Sequence, residues 1–355
     1  MALFPPQVRD WSLPSEALLT PRAAERVARE AATQPPDKAA VALNHDWGLH
    51  LDGRQIDRWA HRFGARIVAE RDEEVAASEC GLRPAAPANP PGLLVLGPDG
   101  GRVQMKEKDP ETNSRWKEDK VLTVTSYLPG DGQGQEPKPL LTTHVASMGR
   151  TEEFGRVARV EAERRGWKYA LQALAIADCG NWIDPLLERE FPGIKRIADW
   201  SHAKEHLYAC ARAVHGGNET PQAQALAAVW TDLLWDGRVE TVVAQIKACS
   251  QRLGPPKKQD GRDHPRRVVA QNAGYFEKNR AHMNYPEYRA KGWPIGSGNT
   301  EAGVKQFNKR VKGSEQFWSP NGIEAMLALR GQWLSQDGRW AAYWRSRPAY
   351  RKRVA

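Results

Sequence analysis

Apolar residues recur at every third or fourth position through the first part of the chain, which is the spacing of one face of an amphipathic helix. This pattern predicts three helices, which cover residues 15–31, 37–44 and 53–74. Gly48 follows the second of them as a C-terminal stop. We therefore expect a small helical domain at the start of the chain.

The pattern changes after residues 80–92, a stretch rich in proline and alanine that is typical of a linker. Short apolar runs then predict strands over residues 93–96, 102–105, 120–127, 169–177 and 194–198. The second of these runs is interpreted as the hairpin partner of the first. A charged amphipathic helix over residues 150–166 lies between the third and fourth runs, and this order predicts a mixed α/β layer.

Helical spacing returns between residues 202 and 289. A glycine-rich loop at residues 293–298 then precedes two further helices, over residues 300–312 and 321–335. The chain is therefore divided into a helical domain (1–79), a linker (80–92), an α/β core (93–203 and 292–345), an all-α insertion (204–291) and a basic tail (346–355).

The outward face of the third predicted helix carries four arginines spaced four residues apart: Arg54, Arg58, Arg62 and Arg66. A short helix, a tight turn and a basic helix form the helix-turn-helix pattern, so this face is a candidate DNA-binding surface. The alternative is a solvated basic face on a small helical bundle.

The overall charge also favours a polyanionic partner. The 355 residues carry a formal net charge of +9 and a sequence pI of about 9.4, and nucleic acid is the commonest such partner. The sequence has no apolar run of transmembrane length and no signal-peptide start, so we expect a cytoplasmic protein. The four cysteines are scattered without a CxxC pair, which argues against a disulfide framework or a zinc ribbon.

Three acidic residues stand where a predicted strand or helix meets a loop. Asp99 follows the first strand, Asp178 follows an apolar run, and Glu301 begins a helix after the glycine-rich loop. If they converge, their repulsion favours shared cations, and oxygen ligands favour two Mg²⁺ or Mn²⁺ ions. On spacing alone, ordinary turn or helix-capping aspartates are the alternative.

Asp199 is a rival for the second carboxylate, since it also ends a predicted strand. Asp178 is preferred because an apolar strand followed by Asp-x-Gly repeats the pattern around Asp99. His202 and His206 share a helix face four residues apart, so a zinc site is conceivable, although a packed or hydrogen-bonded ring is the stronger expectation for His206.

Five segments, in order, resemble motifs of one enzyme family. They are residues 99–104 (DGGRVQ), 116–121 (WKEDKV), 178–183 (DCGNWI), 198–208 (ADWSHAKEHLY) and 292–298 (GWPIGSG), the last leading to Glu301. Together they make residues from about 20 to 344 similar to insertion-sequence transposases of the ISKra type, which are distantly related to Mutator-like transposases.

The resemblance implies an RNase H-like core and metal-dependent cleavage and transfer of DNA strands at the ends of an insertion sequence. It implies that Asp99, Asp178 and Glu301 are catalytic and hold two Mg²⁺ or Mn²⁺ ions, with Asp199 and His202 in support. The implied partners are double-stranded DNA, at the element ends and the target, and a second copy of the chain on paired ends. A bacterial protein associated with the nucleoid when on DNA is expected.

The same resemblance places basic residues on the helix after Glu301, where they could reach phosphates: Lys305, Lys309, Arg310 and Lys312. Two positions depart from the family pattern. Cys179 replaces a glycine, and Pro98 precedes Asp99, so the first strand is expected to end early or bulge. The alternatives are a transposase-derived DNA-binding protein without catalysis and a metal-dependent nuclease without strand transfer.

Overall fold

The computed structural model describes residues 17–178, 180–313, 316–346 and 350–351. Its centre is a five-stranded sheet of β2 (Leu93–Gln104), β3 (Trp116–Leu128), β4 (Lys138–Ser147), β5 (Gln172–Ala177) and β6 (Lys195–Ala198), and a short ribbon pairs β1 (Ala17–Leu19) with β7 (Tyr350–Arg351). The order is β4-β3-β2-β5-β6. The first three strands are antiparallel neighbours, whereas β5 and β6 run parallel to β2. This topology confirms the predicted RNase H-like α/β core.

The helices are α1 (Pro21–Thr33), α2 (Pro36–Trp47), α3 (Gly53–Glu79), α4 (Thr151–Arg164), α5 (Ile183–Glu190), α6 (Trp200–Val214), α7 (Pro221–Trp235), α8 (Val239–Leu253), α9 (Pro265–Asn279), α10 (Tyr285–Ala290), α11 (Gly298–Val311), α12 (Pro320–Leu334) and α13 (Arg339–Arg345), with a 3-10 turn at Arg280–His282. Several begin at a capping side chain: Thr20, Asp52, Thr220 and Ser319 each accept a hydrogen bond from a backbone N–H of the first turn. Within the described ranges, no helix is both long and apolar enough to cross a membrane.

Successive side chains of the sheet pack into separate hydrophobic cores, as expected from the two-residue period of a strand. Leu94 and Leu96 of β2 pack with α4 and α5 on one face. Leu93 and Val95 pack on the other face with the inserted helices α6 to α9. A third core joins α1, α2 and α3 to α11, α12 and α13 over Val103, in the second half of β2. On the face of the sheet that carries Leu93, Val95 and Val103, the all-α insertion thus covers one end of β2 and the N-terminal helices cover its other end.

Strand β2 corrects two expectations. The runs at 93–96 and 102–105 are one continuous strand rather than a hairpin, and its partner is β3. Pro98 neither ends nor bulges the strand, since it pairs in register with Leu122. Pairing with β5 stops at Leu96, so β2 has a neighbour on one side only at the proline, and the missing N–H is tolerated there. Asp99 therefore lies within the strand and not after it.

The N-terminal helices also differ in their bounds. The first helix begins at Pro21 rather than at residue 15, because Thr20 caps it and Ala17–Leu19 is extended; residues before 17 lie outside the described part. The helix predicted over 53–74 continues to Glu79 and packs closely on α12, where a side chain at Gly64 would collide with the backbone of Ala325. The use of α2 and α3 as a DNA-reading unit stays a prediction.

Candidate active site

Two of the predicted carboxylates belong to neighbouring strands, Asp99 within β2 and Asp178 directly after β5. Leu96 of β2 pairs with Ala175 of β5, and Asp99 and Asp178 each lie three residues further along. Because the strands are parallel, these equal steps past the last pair bring the two residues to about the same level along the strands. Gly100 N–H donates to Asp99 Oδ1 at 2.6 Å, and Gly180 N–H donates to Asp178 Oδ1 at 3.3 Å.

Helix α11 crosses β2 beside these residues because a glycine allows it. A Cβ atom added to Gly97 would lie 1.8 Å from Thr300 Oγ1, so any larger residue would push the helix away. Glu301 follows Thr300 in the first turn, as the sequence predicts. Its carboxylate accepts a hydrogen bond from Ser297 Oγ at 3.3 Å and pairs with Lys305 Nζ at 3.3 Å.

The charges of Asp178 and Glu301 act on the carboxyl group of Asp99. The pKa of Asp99 is raised to about 6, first by burial and further by the negative charges of Asp178 and Glu301. The hydrogen bond from Gly100 N–H and the nearby imidazole of His202 act in the opposite direction. A half-buried carboxylate that feels two like charges is suited to a divalent cation, which would relieve both the repulsion and the burial of charge. The donor set of carboxylate oxygens fits Mg²⁺ or Mn²⁺.

Asp199 links the start of α6 to the loop before Glu301. It follows β6, is completely buried, and caps α6 by accepting from His202 N–H at 2.7 Å. Its other oxygen accepts a hydrogen bond from Ser297 N–H, in the loop before Glu301. Ligand atoms of Asp199, His202 and Glu301 lie within 4.8 Å of one another and form a possible metal-binding group. Both oxygens of Asp199 accept hydrogen bonds from backbone N–H groups, one of which belongs to the loop before Glu301.

His206 contacts α9 through two of its side chains. Its Nδ1 lies 2.8 Å from Asn272 Oδ1, and its ring stacks on Tyr275 with centroids 3.8 Å apart. Burial lowers the pKa of His206. The expectation of a packed, hydrogen-bonded histidine is therefore confirmed.

The four arginines of α3 differ in their surroundings. Arg54 and Arg58 are exposed, and Arg66 is exposed with Glu70 at 3.2 Å. Arg62 is half-buried, with its guanidinium 5.1 Å from the ring centre of Trp59. Their contact with DNA remains a prediction, and Arg54 and Arg58 are its most accessible members.

On α11 and at the residue that ends it, three of the four predicted cations are exposed: Lys305, Lys309 and Lys312. Arg310 is not, because it is only 1% exposed and its Nε donates to Ala31 O at 2.7 Å. It lies three residues after Phe307, on the side of the helix that faces the core, so it does not share the lysines' surface.

The sequence interpretation missed Asp119. This residue of β3 pairs with Gly101, is fully buried, and has no hydrogen-bonding partner for either carboxylate oxygen in the described part of the chain. Burial raises the pKa of Asp119 to about 6. The predicted strand began at residue 120, which left Asp119 in a loop and removed any signal that it is buried.

Comparisons with known proteins assign no family to this chain. No protein-family model and no curated protein sequence matches the chain. Among solved structures, it is similar to the Drosophila P element transposase strand transfer complex, with 10% sequence identity and a TM-score of 0.38 over 94% of this chain and 98% of the other. A likeness this remote carries no conclusion about function. The RNase H-like assignment rests on the order and direction of the strands.

Proposed function

We propose that this chain is a DNA transposase that cleaves and joins DNA strands at the ends of an insertion sequence, using divalent metal ions at Asp99, Asp178 and Glu301. The observation that supports this most is the close packing of α11 on β2, where a Cβ atom at Gly97 would lie 1.8 Å from Thr300 Oγ1, because it brings the first turn of α11, with Glu301, to the strand that carries Asp99. The three carboxylates of the proposed site come from β2, from the residue directly after β5 and from the first turn of α11. The reaction type, cleavage and joining of DNA strands, is inferred from the resemblance of the five ordered sequence motifs to those of transposases.

Two Mg²⁺ or Mn²⁺ ions bound by this triad would activate a water or a 3′-hydroxyl and stabilise the leaving oxygen of the phosphodiester. We assign Asp178 rather than Asp199 as the second carboxylate. Asp199 already accepts backbone hydrogen bonds at both oxygens and is fully buried, whereas Asp178 is partly exposed and accepts one at 3.3 Å. Asp199 would hold the loop before Glu301 in place, with His202 beside it.

The exposed cations would bind the DNA backbone. Lys305 pairs with Glu301, and its side chain is 72% exposed, so it is free to turn from the carboxylate to a phosphate when a cation arrives. Lys309 and Lys312 continue the same surface, and Arg54 and Arg58 would contact the terminal repeat. Two copies of the chain would act on paired ends of the element.

The test is a cleavage and strand-transfer assay on plasmid DNA that carries the genomic sequences flanking the coding region. Asp99→Ala, Asp178→Ala and Glu301→Ala should each abolish Mg²⁺-dependent cleavage and leave DNA binding intact. The control is Asp263→Ala, at an exposed position of the insertion. Cleavage without joined products would show a nuclease. DNA binding without cleavage by the unmodified protein would show a non-catalytic relative, and full activity in any of the three variants would remove that residue from the site.

A further inference from the structure

A second candidate site lies at the far end of α11 from the carboxylates. A cavity of about 230 Å³ forms where α3, the segment after β2 and the start of α12 meet. Arg310, which lines it, is nine residues after Glu301, or about 13 Å along the helix axis. Lys106 and Phe317 also line the cavity and are exposed, so it opens to solvent between them.

Among the residues that line this cavity, Arg310 is a fully buried cation. Its Nε caps the end of α1 through Ala31 O, yet both terminal amino groups are buried and have no hydrogen-bonding partner among the described residues. Burial and the neighbouring Arg330 lower the pKa of Arg310 to about 10, so the guanidinium stays charged at neutral pH. A buried cation with unused donors is costly unless an anion meets it. The fork of two amino groups matches the oxygens of a phosphate.

Other groups in the cavity point to the same ligand. His61 Nε2 is buried without a partner in the described ranges and lies 3.0 Å from where a Cβ of Gly322 would stand, in the first turn of α12. Ser319 caps that 15-residue helix at the cavity wall, and the N-terminus of a helix favours an anion. One carboxylate is also present: Asp57 lines the cavity and lies 3.5 Å from His61 Nδ1.

We propose that this cavity is a phosphate-binding site formed by Arg310, His61, Lys106 and the N-terminus of α12. Arg310 and Lys106 together outweigh the single negative charge of Asp57, so a phosphate group would enter a positively charged cavity. The phosphate is either a free phosphate-bearing ligand or one group of the DNA backbone. The site shares no side chain with the carboxylate triad, so its existence does not depend on catalysis.

Calorimetric titration of the full chain with inorganic phosphate, at constant ionic strength, tests the proposal. We expect saturable binding of one phosphate per chain, with the affinity reduced about fivefold in Lys106→Gln, which removes a positive charge, and in His61→Gln, which removes the ring nitrogen at the cavity. Lys108→Gln is the matched control, because Lys108 is exposed two residues away and does not line the cavity. Thermal unfolding followed by circular dichroism verifies that each variant is folded.

The proposal is overturned if phosphate binding is not saturable, or if folded Lys106→Gln and His61→Gln bind phosphate as the unmodified protein does. Repeating the titration with a short DNA duplex present identifies the source. Competition between the duplex and phosphate that weakens in Lys106→Gln but is unchanged in Lys108→Gln supports a backbone phosphate. Unchanged phosphate binding beside bound duplex supports a free ligand. Neither result depends on strand cleavage.

Discussion

Replacing Asp99 with asparagine should stabilise the metal-free protein at pH 8 while removing its activity. The pKa of Asp99 is about 6 in the folded chain against a usual 3.8. A carboxyl whose pKa is raised by folding contributes stability below the unfolded pKa, and that contribution is lost as the pH rises through the folded pKa. A shift of about two units corresponds to about 3 kcal/mol, which the neutral asparagine would recover.

The gain should depend on pH and on metal. At pH 5 the native carboxyl is largely protonated, so the advantage of Asp99→Asn should fall to about half of that value. Urea unfolding at pH 8 and pH 5 in the presence of a chelator measures both values. Saturating Mg²⁺ at pH 8 should stabilise the unmodified protein more than the variant, because an ion that binds only the folded state adds to its stability.

Asp263→Asn provides the control, since an exposed position should change the free energy of unfolding by less than about 0.5 kcal/mol at either pH. The reasoning is refuted if Asp99→Asn is no more stable than the unmodified chain at pH 8 in chelator. It is also refuted if the gain is as large at pH 5 as at pH 8. Either result would mean that Asp99 is not a buried carboxyl among like charges.

Three further results are expected. Gly97→Ala should destabilise the fold by about 1–3 kcal/mol in urea unfolding and reduce cleavage, because its methyl group would displace Thr300 and with it the start of α11. Lys309→Gln should weaken DNA binding for all sequences alike and lower the slope of log affinity against log salt by about 1. Glu161→Gln should lower the free energy of unfolding by about 3 kcal/mol at pH 7, because it breaks a buried ion pair with Arg339 at 2.6 Å. The pKa of Glu161 is lowered to about 2, so this penalty should shrink as the pH falls below 4.5.

The parts of the fold with a strong local pattern were predictable from the sequence. The loop of residues 292–298 followed by helical spacing placed Glu301 in a first helical turn, where the structure has it. The apolar run before Asp178 likewise predicted a strand that ends just before it. In both cases neighbouring residues determine the conformation, through glycines that permit the turn and through apolar residues that must be buried.

Features set by distant residues were not predictable. Pro98 indicates a strand end locally, but β2 continues because β5 stops beside it at Leu96. Strand β4 escaped prediction because polar residues such as Thr143 are buried in its centre, where Glu161 of α4 supplies a partner. Arg310 appeared to belong with its basic neighbours, although its spacing from Phe307 placed it on the buried face.

The central claim is that Asp99, Asp178 and Glu301 bind catalytic metal ions together. Crystals of the protein grown with Mn²⁺ and measured near the manganese absorption edge test it directly, because anomalous scattering locates the ions without reference to sequence. Anomalous peaks are expected within coordination distance of oxygens from all three carboxylates. A peak held by Asp199, His202 and Glu301 that leaves Asp99 and Asp178 without metal, or no peak at any of these residues under saturating Mn²⁺, would contradict it.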